Sequence, residues 1–206
     1  MPRPDVSSRR AELLAVCAKL FAENGYRATT VRDIADAAGI LSGSLYHHFD
    51  SKESMVDEIL REFLDRLFGT YRTVLDTADD PREQLRGCVI ASFDAIDSSP
   101  DAVAIYQAEA RSLAQLERFR YIAERLDEFR GMWREILTRG VESGAFRADL
   151  DIDVTYRFLR DTVWVAVRWY RPGGALTAEA VAQQYLGILE QGIAHVRTLE
   201  SPGEQQ

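Results

Sequence analysis

The chain contains 206 residues, 46% of them hydrophobic, and carries a formal net charge of −8 at pH 7. This length and composition predict one large or two small folded domains with a substantial core, and they exclude a chain that is disordered throughout. The sequence has no run of about eighteen apolar residues, and Met1–Asp5 lacks the apolar segment of a secretory signal. We therefore expect a cytoplasmic protein that does not enter a membrane.

The negative charge is distributed unevenly along the chain. Residues 1–50 contain six Lys or Arg and six Asp or Glu, whereas residues 51–206 contain 19 and 27. An acidic surface repels DNA, so only the neutral N-terminal segment is expected to approach a nucleic acid.

Cysteine and histidine offer little chemistry in this sequence. Cys17 and Cys88 fall on apolar helix faces with no CxxC pair or histidine nearby, which predicts reduced core thiols. His47, His48 and His195 lie in no nucleophile, metal or phosphate-loop motif, and two adjacent histidines cannot both face one side of a helix. We expect neither an enzyme nor a metal site.

The first predicted helix begins at Ser7 or Ser8 and ends at Gly25. The second begins at Thr30, whose side-chain oxygen can accept a hydrogen bond from the free amides of the first turn. It ends at Gly39, where a left-handed backbone conformation is expected. Its apolar face consists of Val31, Ile34, Ala35 and Ala38.

A third, short helix follows a turn in which Ile40 and Leu41 are expected to be buried. Ser42 is its predicted N-cap, and residues 43–49 make barely two helical turns. So short a helix needs support from the rest of the domain.

Leu45 and Phe49 lie four residues apart and can supply that support, which leaves polar groups on the opposite side. The outward-facing candidates for contact with base edges in the major groove are Gly43, Ser44, Tyr46 and His47. Lys52 follows in the first turn of the next helix, which Ser51 caps, and is a candidate for contact with a DNA phosphate. This order of helix, tight turn and recognition helix predicts DNA binding.

The segments GYRATTVRDIADAAGI and LSGSLYHHFDSKESM resemble the DNA-binding domain of the TetR family of bacterial repressors over residues 8–56. The resemblance implies an all-helical dimer in which the N-terminal domain binds a palindromic operator and the larger C-terminal domain binds an effector. It also implies a set of DNA-contacting candidates, which are Thr30, Ser42, Gly43, Ser44, Tyr46, His47 and Lys52. Met55 stands where the family usually has leucine, and His48 beside His47 leaves open which histidine faces DNA.

The remaining sequence is also helical in pattern. The predicted helices are Ser51 to about Asp76, Pro81 to Ser98, Pro100 to residue 143 with a break near Ser112–Leu116, Asp151–Arg171, and Thr177 to about Thr198. The sequence therefore predicts an all-α protein of about nine helices. We expect a three-helix helix-turn-helix domain over residues 1–51, an effector-binding and dimerisation bundle over 52–200, and a disordered tail over 201–206.

The last two predicted helices are apolar on several sides, so each needs two packing partners. The core of one protomer supplies one partner, and the same helices of a second protomer supply the other. The expected homodimer places two recognition helices about one DNA turn apart, ~34 Å.

Basic residues and one tryptophan step along the predicted helix 151–171 by three or four residues, which places them in one narrow sector. These are Arg157, Arg160, Trp164, Arg168 and Arg171. One interpretation is a solvated charged face, since arginine is usually exposed. The other is a binding site for an anionic, ring-containing effector, because a partly buried guanidinium beside an indole requires an anion.

The segments SRRAELL, GILSGSLYHHFDSKESMVDEIL and YRFLRDTVWVAVRWYRPGGALTAE resemble an actinobacterial subgroup of the TetR family that represses genes for late cholesterol-ring degradation. The resemblance implies release from the operator by a CoA thioester of a bicyclic steroid remnant, with no cofactor. Its phosphates suit arginines, and its flat or alicyclic groups suit aromatic side chains. The candidate contacts are Arg160, Trp164, Arg168, Tyr106, Phe93 and Trp133.

Two alternatives remain open from the residues. A TetR-like repressor could respond to another acyl-CoA or hydrophobic ligand. A protein of a different class, architectural or interacting and without effector, would be favoured by the lack of an internal cavity.

Overall fold

The computed structural model describes residues 6–191, and side chains within 9–190. Residues 6–191 form nine α-helices and no strand, which confirms the predicted all-α class. The helices are α1 Val6–Asn24, α2 Val31–Ala37, α3 Ser42–Leu45, α4 Lys52–Thr77, α5 Pro81–Ser98, α6 Pro100–Leu113, α7 Arg120–Glu142, α8 Ile152–Trp164 and α9 Ala178–Gln191. The predicted tail 201–206, the end of the predicted domain 52–200 and His195 lie outside the described residues.

The signals predicted around α2 are present. The Thr30 hydroxyl accepts a hydrogen bond from the Asp33 amide at 3.1 Å, and the Asp33 carboxylate accepts one from the Thr30 amide at 2.8 Å. The latter bond lowers the pKa of Asp33. Gly25 and Gly39 both have positive φ, 85° and 66°, as the ends of α1 and α2 required.

The start of α3 differs from the prediction. Leu41, and not Ser42, is the N-cap, because the Leu41 carbonyl already accepts a hydrogen bond from the Ser44 amide at 2.8 Å. The regular helix stops after Leu45, and the chain continues as a helical turn in which the Phe49 amide donates to the Leu45 carbonyl at 2.9 Å. The predicted capping role of Ser42 was therefore wrong.

Leu41 is also not buried in the turn, contrary to prediction. The Ile40 amide donates to the Ala35 carbonyl at 3.0 Å, which folds Ile40 back against the end of α2. Leu41 follows in an extended conformation, with φ −73° and ψ 144°, and its side chain is 80% exposed. Successive side chains of an extended backbone point in opposite directions, so the half-buried Ile40 directs Leu41 outward.

The long helix α4 links the N-terminal helices to the remaining helices, here called the body. It packs against α1 at one end and against α5 and α6 further along. Its buried face runs over its whole length and includes Met55, Leu60, Leu64 and Tyr71. No helix within residues 6–191 is long and apolar enough to cross a membrane.

The segment predicted as a single helix over 151–171 contains two kinds of helix. The α-helix α8 ends at Trp164, and a 3-10 helix continues over Val165–Arg168. Four residues turn about 480° in a 3-10 helix instead of about 400° in an α-helix, so Arg168 is rotated by about 80° from its predicted direction. A second 3-10 helix, Glu117–Phe119, lies between α6 and α7, directly after the predicted break near Ser112–Leu116.

Candidate nucleic-acid and effector sites

The first candidate site is the exposed side of α3 and the turn that follows it, called here the reading surface (residues 41–47). Leu45 and Phe49 are buried and anchor the segment as predicted. On the opposite side Tyr46 is 56% exposed, Gly43 and His47 are exposed, and Ser42 and Ser44 are half-buried. Thr30 is exposed at the start of α2.

The two histidines differ in their surroundings. His48 is half-buried, and its ring lies beside that of Phe49 with 6.4 Å between centroids. His47 is exposed next to Tyr46. Burial thus favours His47 as the histidine available to a partner.

Gly43 has no role in the packing of the protein itself. A Cβ atom built there meets no atom within 4 Å, and the residue does not have positive φ. Glycine in a helix is nevertheless about 1 kcal/mol less favourable than alanine. The protein's own packing therefore does not require a glycine at this position, and its backbone is uncovered on the reading surface.

Lys52 makes contacts that the sequence pattern did not indicate. Its ammonium group donates to the carbonyls of Tyr26 and Thr29 at 2.8 and 2.9 Å, and lies 4.5 Å from the centre of the Tyr26 ring. These contacts join the first turn of α4 to the α1–α2 loop. One of the three ammonium N–H donors remains, so contact with a phosphate stays a prediction.

An ion-pair cluster on α4 was missed from the sequence. Asp57 is only 8% exposed, and its carboxylate accepts hydrogen bonds from Arg61 at 3.0 Å and Arg118 at 3.1 Å. Glu58 on the next position pairs with Arg10 of α1. The four-residue spacing of Asp57 and Arg61 could have predicted their ion pair, but Arg118 lies 61 residues from Asp57 and no local pattern connects them. The cluster attaches α4 to α1 on one side and to the segment before α7 on the other.

Three of the predicted effector residues meet in one aromatic cluster in the body. Trp164 is 5% exposed, and its ring lies 6.4 Å from Phe63 and 6.2 Å from Phe129. Phe63 also contacts Tyr106 at 5.9 Å, and Phe129 contacts Trp133 at 5.7 Å. Phe63 and Phe129 were missed because they are distant from Trp164 in the sequence and meet it only through helix packing.

Trp133 has an unusual polar group. The residue is 2% exposed, and its Nε1–H is a buried side-chain donor without a hydrogen-bond partner among the described residues. An unmade buried hydrogen bond costs about 1–3 kcal/mol. The cluster therefore retains one donor that an acceptor group could satisfy.

Arg160 borders this cluster through Tyr156, whose ring lies 6.3 Å from that of Phe129. Its guanidinium lies 5.6 Å from the centre of the Tyr156 ring, and its Nε donates to the Asp161 carboxylate at 2.6 Å. This bond lowers the pKa of Asp161. The bond to Asp161 uses Nε, so the two Nη groups of Arg160 can donate to another acceptor.

The predicted single sector of basic residues does not continue past Trp164. Trp164 is buried, whereas Arg157, Arg168 and Arg171 are exposed. Arg157, Arg160 and Trp164 keep their α-helical spacing within α8, but the change to 3-10 geometry at Val165 turns Arg168 away from them. Phe93 is also apart from the cluster, since its ring neighbour is Tyr185 at 5.8 Å.

Two cavities border α4. One of about 390 Å³ lies where the N-terminal helices meet the body and is lined by charged residues that include Arg10, Asp57 and Arg118. The other, of about 160 Å³, is lined by residues of α4 and α5. The second cavity is lined by Phe63 of the aromatic cluster, whereas neither of the two is lined by Arg160 or Trp164.

Comparison with known proteins agrees with this architecture. Residues 13–59 match the family described as bacterial regulatory proteins, tetR family, and residues 78–193 match the tetracyclin repressor-like C-terminal domain. The chain is 61% identical to the HTH-type transcriptional repressor KstR2 of Rhodococcus jostii (strain RHA1), over 91% of this chain and 92% of that protein. KstR2 of Mycobacterium tuberculosis (strain ATCC 25618 / H37Rv) is 60% identical over 91% and 94%.

A solved structure is similar over the same range. The ketosteroid transcriptional regulator KstR2 of Mycobacterium tuberculosis has a TM-score of 0.88 at 60% identity, and the match covers 91% of this chain and 96% of that one. These relatives are regulators and not enzymes. The predicted resemblance is confirmed, and the chain belongs to the TetR family of bacterial transcriptional regulators, as a repressor similar to KstR2.

Proposed function

We propose that this repressor binds a palindromic operator as a homodimer and is released by a CoA thioester of a steroid-ring catabolite. The observation that carries the proposal is the reading surface: a short helix anchored by Leu45 and Phe49 that exposes Tyr46, His47 and the bare backbone of Gly43. A segment of this size fits the major groove, and a missing side chain lets the backbone approach the duplex.

The homodimer is supported by two helices that are apolar on both sides. In α8, Tyr156, Leu159 and Val163 are buried against the body, while Phe158 on another side is 67% exposed. The exposed apolar residues of this region are Val154, Phe158, Val165, Trp169, Ile188 and Leu189. A second protomer related by two-fold symmetry covers this surface with its own copy.

The effector class is supported by the aromatic cluster and by the relatives. A ketosteroid regulator at 60% identity favours a steroid-derived ligand for this chain. The rings of Trp164 and Tyr106 suit an alicyclic skeleton, the Nε1–H of Trp133 can donate to a carbonyl, and the Nη groups of Arg160 suit a phosphate. Arg168, which is exposed, can contact the outer part of a long ligand.

Release follows from a preference of the effector for a second conformation. Insertion at the cluster displaces Phe63 of α4, and α4 carries that movement to the recognition helices through Lys52 and Glu58. To change the operator-competent fraction from 99% to 1%, the effector must favour the released state by about 5.5 kcal/mol. Several charge-assisted hydrogen bonds are sufficient for this difference.

The test is an operator-release assay on the wild type and on Arg160→Ala. Arg160 is preferable to Trp164, because removal of a buried tryptophan side chain costs about 3–5 kcal/mol of folding stability. We expect Arg160→Ala to bind the operator as the wild type does, but to require at least about tenfold more CoA thioester for release, the loss of one charge-assisted hydrogen bond. Arg82→Ala, an exposed arginine of α5, is the matched control.

A panel of ligands separates the alternatives. It contains a bicyclic steroid-remnant acid, its CoA thioester, a fatty acyl-CoA and free CoA. Release by free acids alone would remove the role of the CoA phosphates, and preferential release by the fatty acyl-CoA would favour the alternative acyl group. Release of Arg160→Ala at wild-type concentrations would reject the assignment of Arg160.

A further inference from the structure

Leu41 is the most exposed large hydrophobic residue of the described chain, at 80%. It lies at the N-cap position of α3, and its side chain makes no capping hydrogen bond. A serine, threonine or asparagine there would supply the missing cap and would expose no apolar surface. Neither the stability nor the solubility of the protomer therefore accounts for a leucine at this position.

A single exposed leucine on an arbitrary surface requires no explanation. Leu41 differs because of its position on the reading surface, two residues before Gly43 and five before Tyr46. It is remote in sequence from the exposed apolar residues of α8 and α9, to which the homodimer interface is assigned. Its side chain begins the recognition helix, where residues of helix-turn-helix proteins reach base edges.

We propose that Leu41 determines operator specificity by contacting the C5-methyl group of a thymine in the major groove. An aliphatic side chain cannot form hydrogen bonds with phosphates or with the polar edges of bases. Thymine is the one base that presents an apolar group in the major groove of unmodified DNA. Since this contact requires operator binding, the role of Leu41 rests on the proposed function.

The missing side chain of Gly43 would help Leu41 to reach the thymine methyl group. Gly43 presents no side chain and has no neighbour within 4 Å, so the backbone of α3 can lie close to the duplex. When the backbone of Gly43 lies this close to the duplex, the side chain of Leu41, two residues earlier at the N-cap of α3, reaches the base edges on the floor of the major groove. The same approach brings Ser44 and His47 within reach of polar base edges.

The test removes one methyl group from the DNA. An operator duplex is selected from a random pool with the wild-type protein, and each thymine of a half-site is replaced by deoxyuridine in both half-sites together. Dissociation constants are measured at one fixed salt concentration for the wild type and for Leu41→Ala. Deoxyuridine differs from thymidine only in lacking the C5-methyl group, so polar readout is unchanged.

We expect one thymine position at which deoxyuridine weakens wild-type binding by about fourfold per half-site, the factor for burying one methylene-sized group. Leu41→Ala should bind thymine and deoxyuridine equally at that position and discriminate normally at all others. Leu116→Ala, a 50% exposed leucine between α6 and α7, is the matched control and should behave as the wild type.

The outcomes separate the two proposals. If no thymine position depends on its methyl group, or if Leu41→Ala discriminates as the wild type does, the role of Leu41 is overturned while operator binding stands. If the wild type selects no duplex even at low salt, the proposed function fails and the role of Leu41 fails with it. Circular dichroism of Leu41→Ala should match the wild type, because the side chain is outside the core.

Discussion

At the residue scale, the reading surface contains side chains that stabilise nothing within the protomer. Gly43 and Leu41 are both unfavourable for an isolated protein, one because it weakens a helix and the other because it exposes apolar surface. Residues that are costly for the fold and grouped on one surface are expected where a partner compensates for the cost.

Gly43→Ala should increase the stability of the protein and weaken its operator binding. The new methyl group meets no protein atom within 4 Å and removes a helix-weakening glycine, so the free energy of unfolding should rise by up to about 1 kcal/mol. Operator affinity should fall, because the methyl group obstructs close approach of the backbone. Urea unfolding and operator titration measure the two effects.

Gly131→Ala is the matched control for this prediction. Gly131 is an exposed glycine of α7 that also has no neighbour within 4 Å. Its replacement should raise stability by a similar amount and leave operator affinity unchanged. Equal operator affinity of Gly43→Ala and the wild type would show that α3 does not approach DNA closely.

The buried thiols predict a pH effect on stability. Burial raises the pKa of Cys17 and of Cys88 from 9.0 to about 12. The pKa of each thiol is higher in the folded than in the unfolded protein, so folding favours the protonated thiol. The resulting contribution to the free energy of unfolding is complete below pH 9 and declines as the pH rises toward 12. Urea unfolding at pH 8 and pH 10 should show a smaller loss of stability for Cys88→Ala than for the wild type.

At the element scale, several hydrogen bonds determine where α4 begins. Ser51 and Ser54 exchange hydrogen bonds at 3.1 Å in a capping box, and Lys52 fixes the same turn to the α1–α2 loop. The Asp57 cluster attaches the next turn to the body. The first two turns of α4 are thus attached to the N-terminal helices through Lys52 and Glu58, as the proposed transmission of movement requires.

Ser51→Ala should loosen this attachment. Loss of an N-cap serine costs about 1 kcal/mol, so the free energy of unfolding should fall by that amount. Ser98→Ala, an exposed serine in the last turn of α5, should have little effect. Urea unfolding measures both variants, and equal stability of Ser51→Ala and the wild type would mean that Lys52 alone defines the start of α4.

At the scale of the whole molecule, the proposed function requires two protomers for operator binding. Phe158→Glu places a carboxylate on the exposed apolar side of α8 and leaves the buried side intact. We expect this variant to be a folded monomer by analytical ultracentrifugation, with operator affinity reduced by several orders of magnitude, because one half-site contributes roughly half of the binding free energy.

Leu116→Glu is the control for the dimer prediction, since it puts the same charge on an exposed leucine outside α8 and α9. It should remain dimeric and bind the operator. A dimeric Phe158→Glu protein would mean that the protomers associate through another surface.

The sequence alone predicted the elements whose signals are short in range. Thr30 caps α2 with its own side chain, and Gly39 and Gly25 end helices through their own backbone freedom, so neighbouring residues were sufficient. The anchors Leu45 and Phe49 also followed from local spacing. The all-α class and the TetR family followed in the same way from helical periodicity and from one continuous motif.

Only the tertiary structure decided which distant side chains meet. Arg118 reaches Asp57 across 61 residues, and the aromatic cluster joins Phe63 of α4 to Trp164 of α8. The 3-10 turn that separates Arg168 from Trp164 and the outward direction of Leu41 depend on backbone hydrogen bonds that residue type does not specify. Helix ends are local events, whereas the contents of a site depend on how helices pack.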